Sequence, residues 1–324
     1  MYNEALNSSR EHILTRLSLS KSPVSGDALA SELGLSRAGI WKHIEALRNS
    51  GTDIQAHAGL GYVLSSEVFS AGALKARLNC KRIGQQIRIV EETGSTNRDI
   101  MQEAELGTEE GLVIFANQQS QGKGRMGRLW QTVPESLACS VLLRPVLPPE
   151  QVPQLSLLTA VALHDALSQF SADIRIKWPN DILHHGAKLA GILTEMRAEP
   201  GYVHAVVLGF GINLQAPADG WPADITQAAT DLSTVSCQKI SRLDVAAAVL
   251  NALDHWYELY LKDGFAPVHT AWWQAHASSG QAVRVFDGRQ YIEGIASALD
   301  HDGALLLKTS SGMERIIAGD LELL

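Results

Sequence analysis

QQSQGKGRMGRLW, Gln118 to Trp130, sets three glycines (Gly122, Gly124, Gly127) among three cations (Lys123, Arg125, Arg128), with no acid before Glu135. It leaves Leu112–Ala116, a run of five apolar residues that reads as a buried strand. Gly122-Lys-Gly124-Arg-Met-Gly127 has the form GxGxxG. A dinucleotide fingerprint must also open a helix within a βαβ unit. Here the continuation, Arg128-Leu-Trp-Gln-Thr-Val-Pro134, is β-like and broken by proline, so no helix is expected. A Walker A loop fails as well, because Gly124 stands after Lys123 where a Ser or Thr would hold magnesium. The stretch is therefore a phosphate loop of neither common type, or a surface turn. A turn accounts for the glycines but not for three cations without an acid.

Outward from the loop, the pattern is one of short strands with helices interspersed. Ile87–Val90 is a strand ending in EETGSTN, which puts Ser95, Thr96 and Asn97 in a turn, and Asp99–Leu106 is a helical stretch. Leu155–Phe170 reads as one apolar helix. DIRIKWPND (173–181) alternates into a Pro-Asn-Asp turn, and ILHHGAKLAGILTEM (182–196) reads as a hairpin turning at His185–Gly186. VHAVVLGFGINL (203–214) is a further strand. Strands adjacent in sequence and antiparallel, without strict βα alternation, place the chain in the α+β class. Residues 241–263 and 266–276 are helical, their aromatics (Trp256, Tyr257, Tyr260, Trp272, Trp273) reading as core. From Gln281 to Leu324, five short alternating strands separated by turns at Asp287–Gly288, Asp302–Gly303 and Gly312 read as a small β-barrel.

The first residues carry a different signature. Ser25 can cap a helix with Ala28, Leu29 and Leu33 on its apolar side, and Gly34 ends it. Ser36 caps a second helix with Ile40, Ile44 and Leu47 at i, i+4, i+7, stopping near Gly51. Two short helices joined at a glycine, then a hairpin over Asp53–Leu64, make a winged helix-turn-helix. Ser36, Arg37, Lys42 and His43 are the candidate DNA-contacting residues; Arg37, Lys42, His43 and Arg48 fall off the apolar stripe. A helical packing or dimerisation domain is the alternative. Residues 1–67 hold six Lys/Arg against seven Asp/Glu and the wing HAGLGY has no cation, so DNA binding would need a dimer.

Composition bounds the rest. At 324 residues the chain exceeds one core, and the expected domains are 1–67, 68–276 and 277–324. A net charge of −8 argues against bulk electrostatic binding of nucleic acid. Three scattered cysteines, Cys80, Cys139 and Cys237, give neither a disulfide framework nor a metal spacing and fit a reducing compartment. The start, MYNEALNSSREHIL, lacks the apolar run of a signal peptide, and no run of 18 apolar residues exists; a cytoplasmic protein with no membrane partner is expected.

Cations on a flexible backbone suit a reaction that brings two anions together, such as a carboxylate attacking a nucleotide α-phosphate. Lys123, Arg125 and Arg128 would offset the repulsion, Asp181 could hold Mg²⁺ on the phosphates, and Lys188 could face the carboxylate. Nothing here resembles a Ser-His-Asp or Cys-His arrangement.

In order along the chain, LGLSRAGIWKHIEALR, STN (95–97), QxxGKGRMGRLW, KWPND (177–181), KLAGIL (188–193), GFGIN (209–213) and a closing DGALLL with GDL resemble the bifunctional biotin–protein ligases that also repress the biotin operon. Lipoate ligases are similar in fold, but their glycine- and histidine-rich loop is missing here. The resemblance implies a class II synthetase-like ligase domain and an SH3-like barrel behind the winged helix. It implies two steps: biotin and ATP, with Mg²⁺, give biotinyl-5′-AMP, which acylates a lysine of the biotin carboxyl carrier protein of acetyl-CoA carboxylase. Biotin would meet Ser95, Thr96, Asn97, Gln119, Lys123, Gly124, Arg125 and Lys188. The nucleotide would meet Arg125, Arg128, Trp130, Asn180, Asp181 and Asn213, and Lys188, Arg125, Asp181 and Lys123 would carry the chemistry. The loop would order around the adenylate, favouring a homodimer that binds operator DNA. One departure is GKGR for the family's usual GRGR: Lys123 keeps the charge but cannot form a bidentate fork, so activity with a looser hold on the adenylate is expected. A regulator that senses biotin without turnover is the competing function.

Overall fold

The computed structural model describes residues 2–20, 22–49, 52–65, 67–128, 130, 136–221, 225 and 227–324. The β-like run expected after Arg128 lies outside them apart from Trp130, as does Gly51. The chain forms two compact units, Met1–Leu78 and Asn79–Leu324.

The first unit comprises α1 (Tyr2–Ser18), α2 (Gly26–Leu33), α3 (Arg37–Asn49), β1 (Ile54–His57), β2 (Gly61–Leu64) and α4 (Ala71–Lys75). Ser25 Oγ accepts from the Ala28 amide at 3.1 Å and Ser36 Oγ from the Gly39 amide at 3.1 Å, so both helices start on hydroxyl caps. Gly34 leaves α2 at φ +63°. Ile13, Leu29, Ile40 and Ile44 are fully buried in one core. β1 and β2 pair as the wing, and Tyr62 exchanges two 2.9 Å backbone bonds with Val24. That close approach requires Gly61: a Cβ there would lie 2.0 Å from the Val24 carbonyl oxygen. α4 belongs to this unit, the Gly72 amide donating to Glu11 at 3.2 Å.

His43 departs from the sequence reading. It is only 8 % exposed and sits on the inward face of α3 with Ile40, Ile44 and Leu47. Three residues on from Ile40, it shares that residue's side of the helix. Burial, with the Arg10 charge second, holds its pKa below the ordinary value. It is therefore not among the side chains free to reach a base edge. Arg37 and Lys42 are exposed, Arg37 paired with Asp27, while Arg48 donates to the Ile54 carbonyl and to Glu45.

The second unit runs β3 (Gln86–Thr93), α5 (Thr96–Glu105), β4 (Leu112–Gln119), β5 (Leu137–Leu143), α6 (Val152–Leu167), β6 (Ile174–Lys177), β7 (Asp181–His184), β8 (Ala187–Glu199), β9 (Tyr202–Ile212), α7 (Leu232–Val235), α8 (Arg242–Asp263) and α9 (Ala266–Ala275). Then come β10 (Ala282–Phe286), β11 (Tyr291–Leu299), β12 (Leu305–Thr309), β13 (Gly312–Ile316) and β14 (Asp320–Leu323). β3 to β9 form one sheet in the order β3-β4-β5-β9-β8-β7-β6. Only β3–β4 is parallel, because α5 carries the chain back between them. The hairpin strands that follow pair antiparallel, so the sheet is mixed. α6, with Leu155, Leu158, Leu163 and Leu167 fully buried, packs between this sheet and α8. β10 to β14 form an antiparallel sheet of five, in the order β13-β12-β11-β10-β14, around Val283, Val285, Leu305 and Leu307. Cys80, Cys139 and Cys237 are free thiols. Among the described residues no helix is long and apolar enough to cross a membrane.

His276 joins α9 to the five-stranded sheet. Its Nδ1 donates to the Ile176 carbonyl at 3.1 Å and its ring stacks on Trp272 at 4.6 Å. Burial lowers its pKa to about 4. Unfolded, the ring takes a proton near pH 6.5, so between about 6.5 and 4 the unfolded chain binds more protons. This contribution is complete above that window and is lost as pH falls through it, by about 3 kcal/mol. Melting curves from pH 7 to 4 should therefore fall less steeply for His276→Phe than for the wild type; parallel curves would remove His276 as the cause.

Candidate active site

One cavity of about 900 Å³ opens at the ends of β3, β4, β6 and β9, and β14 closes part of its rim. Every ligand-site residue expected in the second unit lines it: Ser95, Thr96, Asn97, Gln119, Lys123, Gly124, Arg125, Arg128, Trp130, Asn180, Asp181, Lys188 and Asn213. They come from five separate stretches of chain, joined by strand pairing.

Ser95, Thr96 and Asn97 are not in a free turn. Ser95 is the N-cap of α5, with no capping bond from its side chain, and Thr96 and Asn97 are the first residues of the helix. The Thr96 amide donates to Gln119 Oε1 at 2.8 Å, which ties the helix start to the end of β4. Both polar atoms of Asn97 are engaged within the protein: Nδ2 donates to the Leu193 carbonyl and to Glu195, and Oδ1 accepts from Ser140.

The glycine loop folds back on itself. The Trp130 amide donates to Gly122 O at 2.9 Å and the Gly124 amide to Arg128 O at 2.7 Å. Residues 125–127 make a single 3₁₀ turn, with Met126 held at φ +55°. The cations lean on β14: Arg128 Nη2 donates to both Asp320 oxygens at 2.8 and 2.9 Å, and Arg125 Nη1 to Gly319 O at 3.2 Å. Arg125 is largely buried, which lowers its pKa, while Asp320 pulls the other way. Trp130 lies flat on β9; a Cβ on Gly211 would meet its indole at 2.3 Å.

Lys188 Nζ sits 2.7 Å from Asp181 Oδ1 and 5.8 Å above the Trp130 ring. Its backbone is fixed separately, the Lys188 amide donating to Ala228 O at 2.7 Å and its carbonyl accepting from Thr230 at 2.9 Å. Asn180 Nδ2 donates to Ile192 O at 2.7 Å and Asn213 Nδ2 to Thr230 O at 3.0 Å, so both brace the cavity wall. Lys177 also lines the cavity, and no hydrogen bond or ion pair holds its ammonium among the described residues. Burial lowers its pKa, Lys188 adds to the effect, and Asp181 opposes it. Five cations, Lys123, Arg125, Arg128, Lys177 and Lys188, thus line one cleft with an aromatic ring.

Three family models match in order: HTH domain over 9–63, Biotin/lipoate A/B protein ligase family over 89–213, and Biotin protein ligase C terminal domain over 278–324. Over 308 residues the chain is 35 % identical to Bifunctional ligase/repressor BirA of Bacillus subtilis, covering 93 % of this chain and 94 % of that one. The chain belongs to the bifunctional biotin–protein ligase family. Bifunctional ligase/repressor BirA of Escherichia coli is 30 % identical over 311 residues, 92 % of each chain. In fold, the chain is similar to the biotin protein ligase of Aquifex aeolicus, solved with biotin and ATP (TM-score 0.64, 24 % identity, 74 % of this chain and 100 % of that one). It is a biotin–protein ligase with an N-terminal helix-turn-helix domain.

Sequence reasoning missed four residues that line this cavity or bond to the residues lining it. Lys177 was visible inside KWPND but read only as strand. Asp320, in the closing GDL, faces the loop cations from nearly 200 residues away, and neither Ser140 nor Glu195 stands in a motif. Ser140 is the one hydroxyl in the otherwise apolar run Leu137–Leu143, all of it buried, and a lone polar group in such a run is the signal that could have drawn it in.

Proposed function

We propose that the cavity forms biotinyl-5′-AMP from biotin and ATP and passes the biotin to a lysine of a biotin carboxyl carrier protein. The observation that carries this reading is the convergence of Lys188, Arg125, Arg128 and Lys177 beside the Ser95–Thr96 helix start. A biotin carboxylate would lie against Lys188, its ring system toward Ser95, Thr96 and Gln119. The carboxylate oxygen attacks the α-phosphorus; the bond to the β-phosphate oxygen breaks and pyrophosphate leaves. Arg125, Arg128, Lys123 and Lys177 offset the repulsion between the two anions and the charge on the departing group. In the second step a carrier lysine amine attacks the acyl carbon and AMP leaves.

Asp181 would hold Mg²⁺. Its carboxylate is buried, with Oδ1 2.7 Å from Lys188 Nζ, and among the described residues no cluster of three His, Cys, Asp or Glu offers an all-protein cage. One carboxylate completed by phosphate oxygens and water is how magnesium binds in such sites. The ion would supply neutralising charge on the triphosphate.

Trp130 would cover the adenylate, and the ordered loop would keep water from the mixed anhydride. Gly211→Ala removes the seat of the indole. It is expected to lower biotin-dependent ATP–pyrophosphate exchange about tenfold and to speed proteolytic cleavage of the loop. Unchanged cleavage would separate Trp130 from loop closure.

The ordered loop would also favour a homodimer through the central sheet, which binds operator DNA in the cytoplasm with Arg37 and Lys42 of each α3 at paired half-sites. The test of the whole reading is biotin-dependent ATP–pyrophosphate exchange with the full chain. Exchange that requires biotin supports it; binding of biotin with no exchange would make the protein a sensor.

A further inference from the structure

Beneath Thr96 runs a chain of buried hydrogen bonds whose direction can be read. Asn97 Nδ2 donates to the Leu193 carbonyl at 3.2 Å and to Glu195 Oε2 at 2.7 Å. A backbone carbonyl can only accept, so the amide cannot be turned round, and Oδ1 must face the other way. Ser140 Oγ, with Ser140 fully buried, lies 2.6 Å from that Oδ1 and must donate its one proton there. The Thr96 hydroxyl lies 2.6 Å from the same Oγ. With Ser140's proton already committed, Thr96 has to be the donor. Its remaining neighbour, Gln119 Oε1 at 3.2 Å, is a carbonyl oxygen and has no proton to give. Whichever neighbour takes the Thr96 proton, only a lone pair is left for the cavity. Gly209 makes room for the relay: a Cβ there would lie 2.0 Å from Asn97 Oδ1.

We propose that Ser140 is a positioning residue that makes Thr96 an obligate acceptor, so that the site selects a ligand by an N–H presented to Thr96. A ligand with an oxygen at that place meets lone pair against lone pair and is rejected. The inference rests on the reading of this cavity as a biotin site, whose ureido ring carries two N–H groups. Asn97 then acts through the relay and does not touch the ligand itself.

The experiment compares biotin with its two cyclic carbamate isomers, each replacing one ureido N–H by oxygen, by calorimetric titration of the full chain. The wild type should disfavour the isomer altered beside Thr96 by about 100-fold relative to biotin. Ser140→Ala frees the relay, and that ratio should shrink to about tenfold, while discrimination against the other isomer stays the same. A purely structural role for Ser140 would weaken all three ligands alike. An unchanged ratio in folded S140A overturns the proposal, as does a wild type indifferent to both isomers. If S140A does not fold, Ser140→Cys, a weaker donor to Asn97, is read in the same way with a smaller loss of discrimination. Failure of the wild type to bind biotin at all would sink the biotin reading and this inference with it, a result distinct from an unchanged ratio.

Discussion

Lys188→Ala should lower biotin-dependent ATP–pyrophosphate exchange by about 10²–10³-fold, the range found when one preorganised charge-stabilising donor is removed from an active site. The side chain is the cation nearest the Asp181 carboxylate, and it lies over the Trp130 ring. No other cation lies within 4 Å of that carboxylate among the described residues. The loss should be catalytic and not structural. Backbone bonds to Ala228 and Thr230 hold this part of β8 whatever side chain it carries. Asp181 does lose its partner, but the Lys188 side chain is 28 % exposed and water can replace it, so the stability change should stay near about 1 kcal/mol. Lys188→Arg keeps a positive charge with a different reach and should recover part of the rate. Exchange within about threefold of the wild type in folded K188A, less than half of the expected free-energy loss, would remove Lys188 from the reacting centre.

Asp254→Ala should cost the second unit about 4 kcal/mol. The carboxylate, only 4 % exposed on α8, accepts from the amides of Lys81, Arg82 and Ile83 at 2.8 Å each. Alanine leaves three donors without an acceptor. The Lys81 and Arg82 side chains are exposed, so water can reach that end of the turn, but Ile83 is fully buried. The total therefore stays below three full charged hydrogen bonds. Asp254→Asn should fall between: an oxygen at Oδ1 keeps Arg82 and Ile83, while the amino group opposes Lys81. Denaturant unfolding followed by tryptophan fluorescence is the measurement, with the two units allowed separate transitions. A loss under about 1 kcal/mol would mean that solvent, not Asp254, satisfies those amides.

Residues that carry their meaning locally were legible. Ser25 and Ser36 cap the helices they were assigned, and Gly34 ends α2 in the left-handed conformation. Those signals work within four residues, so no tertiary contact is needed to read them. Alternation located β6 and the closing strands, and the turn at His185–Gly186 located the β7–β8 hairpin. Where the reading slipped, a distant contact had overruled a local pattern. His43 is polar by type but one helical turn from Ile40, and packing turned it inward. The STN run resembles a turn because Ser and Asn favour turns, yet the same preference makes them good helix starters.

From the sequence alone came the class of fold, the exclusion of both common phosphate loops, and a set of motif residues with the charge and flexibility to bring two anions together. These are properties of composition and of near neighbours. Tertiary structure decided what those residues face. It set Asp320 against Arg128, laid Trp130 on Gly211, brought Lys177 into the same cavity and ran a one-way hydrogen-bond relay from Leu193 to Thr96. The contacts among these join residues 43 to 192 apart, and sheet register, which no local pattern encodes, is what brings them within bonding distance.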